Sequence, residues 1–193
     1  MSTAAAAPAR TGEVLADLLP ASRLRDAALV LGGAALTGLA AQIAVPVPGS
    51  PVPVTGQTFA ALLVGTSLGA RRGFLSLALY ALAGGAGVPW FAGGGSGAAA
   101  PSFGHVLGML LAATVVGALA RRGADRSVWR TAATMLLGEA IVYAVGVPYL
   151  ALATGMSASA AIAAGLTPFL IGDALKAALA MGLLPTAWKL LDR

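Results

Sequence analysis

Six apolar runs, with almost all the charge confined to the short connections between them, decide what this chain can become. The chain of 193 residues is 58% hydrophobic and only 10% charged, against about 25% charged in a soluble domain. Its mean hydropathy is +0.86. In lipid every backbone polar group must be satisfied within the chain. The pattern therefore predicts an all-α integral membrane protein with six transmembrane helices. Twenty-six glycines suit the close helix approach that replaces hydrophobic drive in a bilayer.

The runs are Ala27 to Val45, Gln57 to Leu68, Phe74 to Ala83, Phe103 to Ala120, Thr131 to Ala153 and Pro168 to Leu191. The second and third are short for a span and need tilt or flanking residues to cross. Residues 1–22 read as an N-terminal tail, Ala-rich and disordered over 1–12, with a surface amphipathic piece over 13–22. Residues 23–193 read as the membrane domain. Between the first two runs, Pro46, Pro48, Pro51 and Pro53 forbid a helix. The fifth run is interrupted near Pro148, and Ser157 to Gly165 is a candidate re-entrant or surface helix. Thr167-Pro168 supplies an N-cap and first-turn proline for the last helix.

Charge sets the orientation. With the N-terminus inside, eleven of the twelve basic residues fall in inside segments: Arg10, Arg23, Arg25, Arg71, Arg72, Arg121, Arg122, Arg126, Arg130, Lys189 and Arg193. The outer connections (46–56, 84–101 and 154–166) hold no Lys or Arg. The positive-inside rule then predicts cytoplasmic N- and C-termini. The twelfth basic residue, Lys176, lies within a span.

Several functions are disfavoured. The net charge of +5 comes from scattered pairs without aromatic interleaving, which argues against nucleic acid. No cysteine and one histidine leave no thiol nucleophile and no multi-histidine metal site. No nucleophile–base pair is visible, so no catalytic residue and no cofactor is assigned. Gly93 to Gly97 lacks the Gly-Lys-Ser/Thr that completes a phosphate loop and reads instead as a flexible lid.

The exception to the charge rule carries the chemistry. Asp173 and Lys176 sit three apart on one helical run and share a face. A lone charge at membrane depth costs about 2.5–3.5 kcal/mol on insertion scales. The pair is either a self-neutralising device for insertion or a polar site facing a cavity.

Placed in order, the segments resemble the BioY family, the substrate-binding S-components of energy-coupling factor (ECF) biotin transporters. The resemblance covers about Ala34 to Leu184. It rests on Ala41-Gln-Ile-Ala-Val-Pro46, Pro51-Val-Pro-Val-Thr-Gly-Gln-Thr-Phe59, Leu68-Gly-Ala-Arg-Arg-Gly73 with Leu79-Tyr80, and Gly87-Val-Pro-Trp-Phe-Ala-Gly-Gly94. Gly138-Glu-Ala-Ile-Val-Tyr-Ala-Val-Gly-Val-Pro148 and Leu170-Ile-Gly-Asp-Ala-Leu-Lys176 complete it. Pro101-Ser-Phe-Gly-His105 departs from it, where relatives carry a Gly-rich run ending in tyrosine.

The resemblance implies a plasma-membrane protein that captures biotin from outside and delivers it inward. It also implies partnership with a transmembrane coupling subunit and an ATPase pair. Asp173 and Lys176 are then the ligand signature: the carboxylate accepts from a urea N–H, and the ammonium donates to the urea carbonyl or, as the second choice, to the ligand's carboxylate. Tyr143 shares a face with Glu139 and is the better ligand candidate of the two; Glu139 is a polar plug or a proton or ligand contact. Thr55 and Gln57 are a helix cap and solvated amide, or contacts from a loop lidding the pocket. Trp90 reads as an interfacial belt residue; Phe91 joins that belt or walls the ligand, with Gly93 beside it. His105 is a solvated helix end or a carboxylate contact. Ala34, Gly38 and Ala41 form a small-residue face, for packing within the protein or for docking the coupling subunit. The rival readings are an S-component for another vitamin, a solitary proton-linked carrier, and an intramembrane enzyme.

The charge count predicts that single cysteines at Ser50, Ser96 or Ser157 label from outside with an impermeant maleimide, while a cysteine at Arg122 does not. External labelling at Arg122 reverses the orientation.

Overall fold

The computed structural model describes residues 12–191. Residues 1–11 of the expected 1–12 tail, with Asp192 and Arg193, lie outside them. The elements are α1 (Arg23–Ala41), β1 (Ala44–Val45), β2 (Val54–Thr55), α2 (Gln57–Leu68), α3 (Ala70–Gly85), α4 (Phe103–Ala120), α5 (Val128–Thr154), α6 (Ala158–Gly165) and α7 (Leu170–Leu191). Short 3-10 turns stand at Leu15–Leu18, Ala92–Gly94 and Thr167–Phe169. The chain is mostly helical, and the all-α expectation gains one correction. The proline-rich connection is a small antiparallel hairpin, with Ala44 opposite Thr55 and Val45 opposite Val54. Proline excludes helix there but leaves extended backbone open.

Among the described residues, four segments are long and apolar enough to cross a membrane: Arg23–Ala41, Phe103–Ala120, Val128–Thr154 and Ala158–Leu191. α2 and α3 are shorter, with 12 and 16 residues. They meet at Gly69 alone, whose φ of +83° is open to glycine and rarely to other residues. α3 thus begins at Ala70 and takes Arg71 and Arg72 into its first turn, rather than leaving them in a connection. α5 runs unbroken through Pro148, against the expected interruption. Ser157 caps α6 by accepting from the Ala160 amide at 3.3 Å. Thr167 is not the N-cap of α7: it lies in the 3-10 turn before it, its hydroxyl donating to the Ile162 carbonyl.

α4 is the most enclosed of the four long apolar segments. Its neighbours touch it backbone to backbone. A Cβ on Gly65 of α2 would stand 2.7 Å from Ala113 Cα, and one on Gly108 of α4 would stand 2.8 Å from Val142 Cα of α5. At these two points no side chain fits between the helices.

Of the two readings of the small-residue face on α1, the structure fits packing within the protein. Ala34, Gly38 and Ala41 are buried, together with Gly33 and Thr37. Trp90 covers Gly38, its Cε3 only 3.2 Å from where a Cβ would stand, and its indole donates to the Tyr80 carbonyl at 3.0 Å. Trp90 is therefore part of an internal joint rather than an interfacial belt. The outward face of α1 carries Leu24, Leu31, Leu36 and Leu39 instead. Small residues turn inward here because another helix and an aromatic side chain must come close.

At the basic end, the segment before α1 is docked onto the bundle. Val14 and Ala16 pack on Ala120. Asp17 pairs with Arg72 at 2.8 Å and Arg121 at 3.2 Å, and Arg72 also reaches Asp26 at 3.0 Å.

Gly38→Leu is expected to destabilise the purified protein by about 1–3 kcal/mol, the cost of overpacking. Ala35→Leu, on the exposed side of α1, should leave the thermal midpoint in detergent unchanged. Equal midpoints for the two variants would contradict the inward packing of Gly38.

Candidate functional site

Asp173 enters the first turn of α7, where helix geometry favours a carboxylate. One turn further, Lys176 folds back onto it: Nζ lies 2.9 Å from Asp173 Oδ1 and 2.7 Å from Thr58 Oγ1 of α2. The other carboxylate oxygen accepts from the Tyr143 hydroxyl of α5. Three helices thus converge on one ion pair. Both side chains are mostly buried, Lys176 at 15% and Asp173 at 8% relative exposure.

The hairpin lies across this centre. Val52, Pro53 and Thr55 share a cavity with Gln57, Thr58, His105, Val142, Tyr143, Phe169, Asp173 and Lys176. Val52 packs on Leu150, Ala164 and Phe169, and Ser50 donates to the Ala164 carbonyl of α6 at 2.8 Å. The enclosed space is only about 20 Å³, room for about one water. A groove of about 610 Å³ opens beside it between α5 and α7. Its walls are apolar, among them Leu136, Val147, Pro148, Leu166 and Leu170, and Glu139, Tyr143 and Asp173 line it too. Small-molecule sites typically fall between about 300 and 1,000 Å³, so this groove has ligand dimensions and the hairpin-covered space does not.

The sequence candidates divide accordingly. Asp173, Lys176, Tyr143, Gln57, Thr55 and His105 come together. Thr55 is not a helix cap, since Gly56 holds that position. Gln57 is buried rather than solvated, its Oε1 accepting from the Tyr80 hydroxyl at 2.9 Å. His105 is buried rather than solvated at a helix end, because α6 covers it; its Nε2 donates to the Gly165 carbonyl at 3.1 Å. Its Nδ1 and Glu139 Oε2 are buried without a partner among the described residues.

Phe91 and Gly93 stand apart from both spaces. Phe91 packs between Tyr80 and Phe103, filling the room left by Gly84. Gly93 lies in an exposed 3-10 turn, which Gln42 pins by accepting from the Gly94 amide at 3.1 Å. The glycine run is therefore an anchored turn in this structure rather than a lid over the pair.

Thr58 and Phe169 escaped the sequence reading. Thr58 follows Gln57 in the first turn of α2, and its hydroxyl was the available signal. Phe169 had none beyond its nearness to Asp173. Among the described residues no group of three His, Cys, Asp or Glu is placed to hold a metal.

Against this geometry stands a match to the BioY family over residues 11–193. The chain belongs to the BioY family. This BioY-family chain is 35% identical over 162 residues to a probable biotin transporter BioY of Pyrococcus horikoshii, covering 82% of this chain and 93% of that one. It is 34% identical over 140 residues to the biotin transporter BioY of Rhizobium etli, covering 67% and 74%. Its fold is similar to that of a crystal structure of the S-component for biotin from an ECF-type ABC transporter. That likeness has a TM-score of 0.77 at 20% identity and covers 88% of this chain and 95% of the other.

Removing one partner of a buried pair leaves the other charge uncompensated, at about 3–5 kcal/mol, whereas removing both is often neutral. Lys176→Met should therefore destabilise strongly, and adding Asp173→Leu should recover most of the loss. Thermal unfolding in detergent reads both. A double variant no better than the single one would mean that Asp173 gains little from Lys176.

Proposed function

We propose that this chain is the biotin-binding S-component of an ECF-type uptake transporter, residing in the plasma membrane. The buried Asp173–Lys176 pair, held by Thr58 and Tyr143 beside a groove of ligand size, is the observation that carries the reading. The names of its BioY relatives agree with it.

Biotin presents two urea N–H donors, one carbonyl acceptor, an apolar bicycle and a carboxylate tail. Asp173 accepts from a urea N–H, and Lys176 donates to the urea carbonyl. Tyr143, Thr55, Gln57 and His105 lie around the same centre, and the apolar groove offers walls for the rings. Binding in this reading parts the hairpin from Phe169 and Tyr143, since the covered space admits about one water. Phe91, Gly93 and the buried Ala34–Gly38–Ala41 face contribute indirectly, by supporting the α1–α3 joint.

The membrane arrangement we infer has six crossings (α1 to α5 and α7), with α6 capping the outer side and both termini in the cytoplasm. The absence of Lys and Arg from the outer connections supports it. The chain supplies capture. A coupling subunit and an ATPase pair supply the energy.

Asp173→Asn and Lys176→Ala should each weaken biotin binding by roughly ten- to hundredfold, the worth of a charge-assisted hydrogen bond. Thr58→Ala should weaken it less. Isothermal titration on protein that stays monodisperse reads all three. Wild-type affinity in both charge variants would leave the pair a structural neutralisation only.

A further inference from the structure

At the basic end of the bundle a second cavity of about 350 Å³ lies between α1 and α3, beside the end of α4. Asp26, Arg71, Arg72 and Arg121 form its polar side. Arg72 is spent on Asp17 and Asp26, and Arg121 on Asp17 and the Gly12 carbonyl. Arg25 pairs with Asp26 at 2.7 Å. Arg71 is exposed and, among the described residues, neither accepts nor offers an ion pair or hydrogen bond. The four guanidiniums (Arg25, Arg71, Arg72, Arg121) and two carboxylates (Asp17, Asp26) leave a local charge of +2.

The rest of the lining is apolar. Ala27 and Val30 of α1 and Leu75 of α3 run from the arginines along the outside of the bundle, with Leu75 42% exposed. Positive charge at one end and an apolar lane leading away from it match one amphiphile: an anionic head on an acyl chain. A free anion would use the arginines but not the lane. A neutral lipid would use the lane but leave Arg71 unpaired.

We propose that this cavity binds the phosphate headgroup of an anionic phospholipid, with Arg71 as its free ligand and the Ala27–Val30–Leu75 strip against the acyl chain. Basic pockets between helices at the cytoplasmic face recognise anionic headgroups through charge and hydrogen bonding. The inference rests on the membrane reading of the fold and not on biotin. Lipid retention is measured with no biotin present, so its failure would leave the biotin reading standing, and the reverse.

The test is native mass spectrometry of the full purified chain, titrated with dioleoyl phosphatidylglycerol or dioleoyl phosphatidylcholine in micelles. The wild type should retain phosphatidylglycerol over phosphatidylcholine. Arg71→Ala should lower that preference about fivefold, the share of one arginine at a membrane surface. Since Arg71 has no partner to abandon among the described residues, the variant should fold and bind biotin normally. Arg122→Ala, exposed but outside the cavity, should change nothing, and inorganic phosphate at equal concentration should not displace the lipid.

Equal losses from Arg71→Ala and Arg122→Ala would reduce the site to general surface charge and overturn the proposal. Displacement by inorganic phosphate would replace the lipid with a free anion. Unchanged retention in Arg71→Ala, with loss of co-purification with a coupling subunit, would assign the surface to a protein partner instead.

Discussion

An ion pair in an apolar helix bundle organises this molecule. Neither Asp173 nor Lys176 is stable alone when buried among apolar helices, and together they still leave hydrogen-bonding capacity that must be met. Thr58 and Tyr143 meet it, which ties α2 and α5 to α7. The hairpin and α6 then complete the enclosure over the same point. The requirement to satisfy two charges thereby becomes a requirement that five elements meet in one place. That meeting point gathers hydrogen-bond donors and acceptors from several elements inside an apolar bundle.

Close packing elsewhere makes the arrangement reachable. The contacts at Gly65 and Gly108 bring α2 and α5 against α4 without intervening side chains. Lipid provides no hydrophobic drive between helices, so contact area and backbone proximity must supply the association. With α4 gripped from both sides, Thr58 and Tyr143 are carried to positions from which each reaches α7. The aromatic joint of Tyr80, Trp90 and Phe91 does the same for α1 and α3, and Tyr80 passes that order to the site through Gln57.

The two ends of the bundle handle charge differently. At the site, charge is enclosed and nearly saturated, with Glu139 and His105 Nδ1 as the unpaired exceptions. At the basic end it is open, and the ion pairs of Asp17 and Asp26 leave arginine in excess. Enclosure suits a small polar ligand that must be recognised atom by atom. An exposed excess of one sign suits a surface of the opposite sign.

The sequence by itself determined the membrane class, most helix positions and the pairing of Asp173 with Lys176, because hydropathy and i, i+3 spacing are local quantities. The six candidates at the ion pair came from polar residues in or beside apolar runs, read together with the family resemblance. Tertiary structure decided which face of α1 is inside. A small-residue stripe permits close approach by any partner, and only the position of Trp90 chose an internal one. It also decided that Phe91 and Gly93 belong to a joint and that Thr58 belongs to the site. Those assignments depend on contacts between residues tens of positions apart, such as Lys176 with Thr58 and Gly94 with Gln42. No local pattern encodes those distances.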